Sequence, residues 1–550
     1  MIKTLRFVFI VSILASFNLQ ADILHVFNVK GYTFNQQGKL MTFSNMVVED
    51  GKVRAIGGEA LGHGFPTAKQ LDGKGQTLLP GLIDAHGHML GLGDNLLAID
   101  VRESASAYDA ASQVAEYAKA HPDMSWIQGR GWNQVLWPDK QFPTASILDE
   151  ALADKPVWLT RVDGHAGWAN SAALKIAGID NTTVSPEGGK ILTDDEGNPT
   201  GVLIDTAMSL VEQHIPPLDN NIRMQQLSAA GEHLLSLGIT SMHDAGIDRA
   251  TYDLYQALAN KQALPVRIYA MISATDPTLA QMLAKGTINS DDDMLLIRSV
   301  KAYGDGALGS RGAALLAAYS DDPHNHGLLV TAKEKLPSLF NEVIGAGFAM
   351  HFHAIGDRAN QLALDQFEAT FNTIGGQSLR HRIEHAQVIT LDDIKRFKTL
   401  DIIPSMQPTH ATSDMNMAED RIGPQRLKGA YAWQTFLKQG SKLAFGSDFP
   451  VELANPFYGI HAAVTRQNRE NQPQEGWVPE EALTLEQTLK AFTVDAAYAA
   501  AQDDKLGTLM PGYWADFILV DKDIFAIPAQ ELWQVEVLST YIAGQEVYQQ

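Results

Sequence analysis

The 550-residue chain has no cysteine. That excludes disulfides and lipid-modified cysteine, so stability outside the cytoplasm would rest on packing and on bound metal. Long apolar runs are missing too: the stretch Phe7 to Phe17 is shorter than the ~20 residues a membrane-spanning helix needs, and no later segment reaches that length. With Lys3 and Arg6 before it and Leu19-Gln20-Ala21 after it, the stretch reads as a secretory signal over residues 1–21, and export to the periplasm or beyond is expected. Positive charge is scarce. There are 42 Lys and Arg against 64 Asp and Glu, a net charge of −22 that becomes −24 if Lys3 and Arg6 leave with the signal. Phosphate backbones would be repelled by that field, which argues against nucleic acid as a partner. Low-complexity tracts and charged tails are also missing. At 45% hydrophobic and 19% charged residues, the chain should fold along nearly its whole length, as more than one structural unit.

After the signal, Ile23 to Val29, Met46 to Glu49 and Lys52 to Ile56 read as short strands between glycine turns, and the far end offers Ala515 to Asp521 and Val535 to Val547. The two ends of domains often lie near each other, so residues 22–78 and 505–550 are expected to build one β-sandwich. Residues 79–504 alternate apolar strand candidates with helical stretches, the pattern of a parallel sheet with crossover helices. Eight strands are predicted: Leu79 to Asp84, Gly238 to His243, Pro265 to Ile272, Ser299 to Tyr303, Phe348 to His353, His381 to His385, Ile402 to Met406 and Lys442 to Gly446. Six of the eight end in a polar cluster, as expected at the carboxyl face of a (β/α)8 TIM barrel. The fold class is therefore α/β: a TIM barrel, a small terminal β-sandwich, and a large insertion after the first barrel strand. About 150 residues separate the first strand from the second, where a crossover needs only a dozen or more. The excess, residues 101–227, holds Trp126 to Trp137, a strand-like Pro156 to Arg161, and a hairpin across Lys190 to Leu203 turning at Asp195-Glu196-Gly197-Asn198. It reads either as a lid or substrate-binding element over the rim or as a surface decoration.

The chemistry gathers at strand ends. In Asp84-Ala85-His86-Gly87-His88, His86 and His88 are two apart and so present two imidazoles to one side of a strand. His353 closes the fifth strand, His385 closes the sixth in Arg382-Ile383-Glu384-His385, and Asp448 follows the eighth in Gly446-Ser447-Asp448. Singly, each has a bland reading, as a core histidine paired to a carbonyl or an aspartate capping a helix. Five such residues at the ends of strands one, five, six and eight are better explained by a shared cation, because buried polar groups must be paired.

These residues lie in longer runs: Leu79 to His88, Asp163-Gly164-His165, Lys301 to Arg311, His353 to Ala359, Arg382 to Ala386 and Gly446 to Asp448. With them the chain resembles the amidohydrolase superfamily, in the branch of N-substituted formamide deformylases (amidohydrolase family 3), over nearly its whole length after the signal. The resemblance implies that His86 and His88 bind the more buried of two divalent cations and that His353 and His385 bind the more exposed one. It implies that Asp448 touches the buried metal and takes the proton from the attacking water. It also implies that Lys301 is carbamylated and bridges both metals, although Asp305 on the same strand face stays open as an alternative ligand and Lys301 as an ordinary ion-pair partner. His165 resembles a residue near the substrate carbonyl. Arg311 and Gln407 are candidates to reach the substrate, and Trp132, Trp137 and Trp168 to form an apolar wall, against capping and core roles. Zinc is the default metal for imidazole and carboxylate ligands.

The function implied is a metal-dependent hydrolase in which a metal-activated hydroxide cleaves the C–N bond of an amide-type small molecule. The same site would serve an esterase, lactonase or phosphoesterase, and the same fold a non-catalytic scaffold. A homo-oligomer remains open.

Overall fold

A computed structural model of the chain describes residues 23–122, 124–161, 166–186, 189–216, 220–309 and 311–550. The signal expected at residues 1–21 lies outside the described residues. No helix among the described residues is long and apolar enough to cross a membrane.

Eight parallel strands form the central sheet: β1 (Leu82–Gly87), β2 (Ile239–Ile247), β3 (Arg267–Ser273), β4 (Leu295–Tyr303), β5 (Ala349–Ala354), β6 (Arg382–His385), β7 (Ile403–Met406) and β8 (Ala444–Phe445). They pair in sequence order from β1 to β8. Each strand is almost wholly buried, as expected when helices cover a parallel sheet and side chains fill the barrel. Closure is made past the end of β8, where Asp448 N–H donates to His86 O at 2.7 Å and His88 N–H to Phe449 O at 2.8 Å. The closing contact is tight: a Cβ on Gly446 would lie 2.4 Å from Asp84 Oδ1 and 2.5 Å from His86 N, so only glycine lets the last strand reach the first.

The structure places the first barrel strand differently from the sequence expectation of Leu79 to Asp84. Thr77–Pro80 belongs to a separate six-stranded sheet, and the barrel strand begins at Leu82 and runs on to Gly87. The apolar run Leu78 to Ile83 is continuous because it is buried in both sheets, and hydrophobicity alone gives no sign of the switch.

That six-stranded sheet joins the two ends of the chain. Thr77–Pro80 pairs with Lys30–Phe34 on one side and antiparallel with Phe517–Val520 on the other, followed by Val537–Ile542 and Gln545–Gln549. A four-stranded sheet of Ile23–Phe27, Asn45–Glu49, Lys52–Gly57 and Lys69–Asp72 completes the terminal unit. Val26, Met46, Val53, Leu78, Phe517 and Tyr541 share one core there.

The segment between β1 and β2 carries its own six-stranded sheet, in the order Gly189–Thr193, Pro199–Asp205, Ala166–Ala169, Val157–Arg161, Ile127–Trp132, Ile99–Asp100. The hairpin expected across Lys190 to Leu203 is present, with Asp194 N–H donating to Asn198 O across the turn. Helix Asn220–Ser236 then packs on Met89–Leu97 and returns the chain to β2.

Candidate metal centre

His86 and His88 leave the end of β1 together, their ring centroids 5.7 Å apart. Their Nε2 atoms lie 3.6 and 3.2 Å from Asp448 Oδ1. His353 at the end of β5 and His385 at the end of β6 stack edge to face with centroids 4.5 Å apart, and His385 lies 4.9 Å from His86. Five residues separated by up to 362 positions thus converge at the carboxyl mouth of the barrel. His385 and Asp448 hold left-handed backbone, with φ of 73° and 61°, a conformation that costs a non-glycine residue of order 1–3 kcal/mol and collects at functional sites.

Neighbouring side chains fix each ligand candidate. His86 Nδ1 bonds to Glu384 Oε2 at 2.5 Å, and His385 Nδ1 bonds to Gln407 Oε1 at 2.8 Å. Each bond leaves the other ring nitrogen facing the centre. Ser447 donates from N–H and hydroxyl to Asp84 Oδ2, at 3.0 and 2.7 Å, and so clamps the turn that carries Asp448.

The electrostatics favour metal-binding protonation states. Burial, reinforced by the nearby Lys301, holds the His86 imidazole below its ordinary range and His353 down to about 3. Burial and the neighbouring His353 do the same for His385. Burial would raise the Asp448 carboxyl, but His86, the contact with His88, His385 and His410 hold it well below the usual carboxylate range. Burial likewise opposes ionised Glu384, yet His86, Arg382 and Lys301 bring it to about 2. A lowered imidazole and a lowered carboxyl each favour the deprotonated form, which is the one that ligates.

Lys301 on β4 is buried with Nζ 3.1 Å from His86 Nε2, and burial pushes its amine below the ordinary value. Asp305, the alternative ligand, accepts backbone N–H bonds from Ile355, Gly356 and Ala314 at 2.8–3.0 Å, and its Oδ1 lies 3.5 Å from His353 Nε2. It braces the β4 and β5 loops.

The centre opens into a cavity of about 440 Å³ lined by His86, His88, Lys301, Tyr303, His353, His385 and Asp448 together with Gln387, His410, Asp414, Val451 and Glu452. Three sequence expectations place differently. Trp132 does not wall this cavity. It is fully buried in the core of the insertion, packed 6.3 Å from both Trp137 and Trp168, and its Nε1–H donates to Leu159 O. Arg311 turns away, its guanidinium paired with Asp321 at 2.9 Å. Gln407 is buried behind His385 and reaches the site only through it. His165 lies outside the described residues. His410 and Glu384 are the residues that sequence reasoning passed over. His410 follows the seventh strand on helix Pro408–Asp414, and the available signal was its place just past a strand end.

The donor set fits a divalent cation. Among the described residues, His353 Nε2, His410 Nε2 and Asp448 Oδ1 are buried without a hydrogen-bond partner, a cost that a cation would relieve. Two groups, His86–His88–Asp448 and His385–His410–Asp448, each bring ligand atoms within 4.8 Å of one another.

Fold and site together define a metal-dependent hydrolase on a (β/α)8 barrel. Residues 69–548 match the amidohydrolase family, and the chain belongs to that family. It is 33% identical over 533 residues to Protein LONG AFTER FAR-RED 3 of Arabidopsis thaliana, covering 94% of this chain and 90% of that protein. It is 25% identical over 517 residues to the N-substituted formamide deformylase of Arthrobacter pascens, covering 91% and 94%. An uncharacterized metal-dependent hydrolase from Pyrococcus horikoshii OT3 superposes with a TM-score of 0.79 at 27% identity, over 92% of this chain and 99% of that one.

Proposed function

We propose that the protein hydrolyses the C–N bond of an amide-type small molecule. The observation that carries the proposal is Asp448, whose buried Oδ1 has no hydrogen-bond partner among the described residues and which lines the cavity among imidazoles that hold its carboxyl well below the usual range. The similarity to an N-substituted formamide deformylase favours nitrogen over oxygen as the leaving atom. Cations held by His86, His88, His353, His385 and Asp448 would lower the pKa of water and polarise the substrate carbonyl. Zinc suits this ligand set.

The side chains supply the rest. Asp448 takes the proton of the attacking water on a carboxylate oxygen and passes it to the departing nitrogen, general acid–base work of the kind worth ~10²–10⁴-fold. Glu384 and Gln407 keep His86 and His385 in the tautomers that turn the Nε2 lone pair toward the centre. Lys301, with its amine pushed toward the neutral form, adds carbon dioxide at Nζ and loses a proton, becoming an anionic oxygen donor facing His86. The substrate is a small molecule that fits the cavity, and the sequence of residues 1–21 supports export.

The test is turnover of matched amide, carbamate, ester and phosphoester panels by zinc-loaded protein. Preferential hydrolysis of an amide or carbamate supports the reading. Preference for esters or phosphoesters, or no turnover of any of them, overturns it.

A further inference from the structure

We propose that His410 is a metal ligand, and that it joins His385 and Asp448 at the second divalent cation, beside the His353 already implied there, with the Asp448 carboxylate shared between the two sites. This adds a residue to the set that the family resemblance implies, and it rests on the metal-dependent reading above.

The two oxygens of Asp448 face different imidazoles. Oδ1 faces His86 and His88 at 3.6 and 3.2 Å, whereas Oδ2 faces His410 Nε2 at 3.7 Å. A carboxylate whose oxygens address different imidazole sets has the geometry of a bridge. The His410 gap is the wrong size for a hydrogen bond, which spans about 2.7–3.2 Å. It is near the ~3.3–3.6 Å that separates two atoms each 2.0–2.2 Å from one tetrahedral ion. Among the described residues His410 Nε2 is buried without a partner, although it lines the cavity. The His410 ring lies nearly parallel to His385, centroids 5.9 Å apart and planes at 21°, and one ligand atom each from His385, His410 and Asp448 lies within 4.8 Å of the others.

The geometry also separates His410 from a packing role. The residue is on helix Pro408–Asp414, immediately after β7, and so enters the mouth from a strand that supplies no other ligand. The neighbouring Asp414 is occupied with Tyr431 Oη–H and Gln387 Nε2–H, which donate to it at 2.6 and 3.0 Å. It therefore leaves the His410 ring to face Asp448.

The test is metal binding by the full chain after chelation, titrated with Co²⁺ and read by elemental analysis and by the visible absorption of bound cobalt. Wild type should take two equivalents. His410→Asn and His410→Gln should each weaken the second by at least about 100-fold while keeping the first, a loss no smaller than that from removing an outer-sphere partner. Zinc-loaded crystals of the unaltered protein give a check that does not depend on a variant folding: an anomalous peak within ~2.3 Å of His410 Nε2 is expected. Two equivalents bound equally well by wild type and both variants, or no anomalous density between His410 and Asp448, overturns the proposal. If His86→Asn still loses an equivalent in that case, the metal-dependent reading survives and only the role of His410 falls. If the unaltered protein takes up no cation, both fall.

Discussion

His86 Nδ1 bonds to Glu384 Oε2 at 2.5 Å across 298 residues of sequence. The pair is fully buried, and the bond fixes which nitrogen of His86 looks into the centre. Outer partners of this kind typically change metal affinity by ~10–100-fold. Glu384→Gln keeps the shape and removes the charge, so it should lower affinity for the cation at His86 and His88 by that factor. Competition against a chelator of known affinity measures it, and unchanged affinity would assign Glu384 to barrel packing.

Asp448→Asn is expected to fold and to bind metal measurably, yet to lose ~10²–10⁴-fold in kcat. Melting curves, metal content and steady-state kinetics on one preparation separate these effects. Retained turnover would remove Asp448 from proton transfer.

Trp132 anchors the core of the insertion. Replacing a buried tryptophan by alanine costs ~3–5 kcal/mol, so Trp132→Ala should lower stability in urea by that order. The KM of the protein that remains folded should stay close to the wild-type value, because Trp132 does not line the cavity. A selective rise in KM without loss of stability would restore the apolar-wall role.

Asp495 offers a pH test away from the metal centre. Burial raises its carboxyl from 3.8 to about 6, with Lys490 and Lys442 pulling the other way. A raised carboxyl favours the protonated folded state. Its contribution is therefore fully present below the unfolded pKa and is lost as pH rises through about 6, by at most ~3 kcal/mol. Asp495→Asn should raise Tm relative to wild type at pH 8 and leave it nearly unchanged at pH 4. An equal shift at both pH values would mean that the carboxyl titrates normally.

The barrel was legible because its strands are short apolar runs, several of which end in polar residues at the mouth. His86, His88, His353, His385 and Asp448 stand at such ends, and the fold brings them together. The first strand was misplaced because Leu78 to Ile83 is buried in two successive sheets, and burial reads the same in either. The tryptophans carry two readings in the sequence, wall and core, for a related reason: an insertion with its own core buries aromatics as thoroughly as a pocket wall would display them. His410 has no partner at ligand spacing in the sequence. Its approach to Asp448 depends on how the helix leaves β7, which periodicity does not encode. Glu384 was visible beside His385, but its partner on β1 appears only when the sheet closes.

The central claim is that cations caged at the barrel mouth drive hydrolysis, and its most direct measurement is turnover of an amide substrate by chelated protein as zinc is added back. Negligible activity is expected without metal, with recovery that rises in step with bound zinc and is lost again in His86→Asn. Full activity in protein shown by elemental analysis to be metal-free would contradict it.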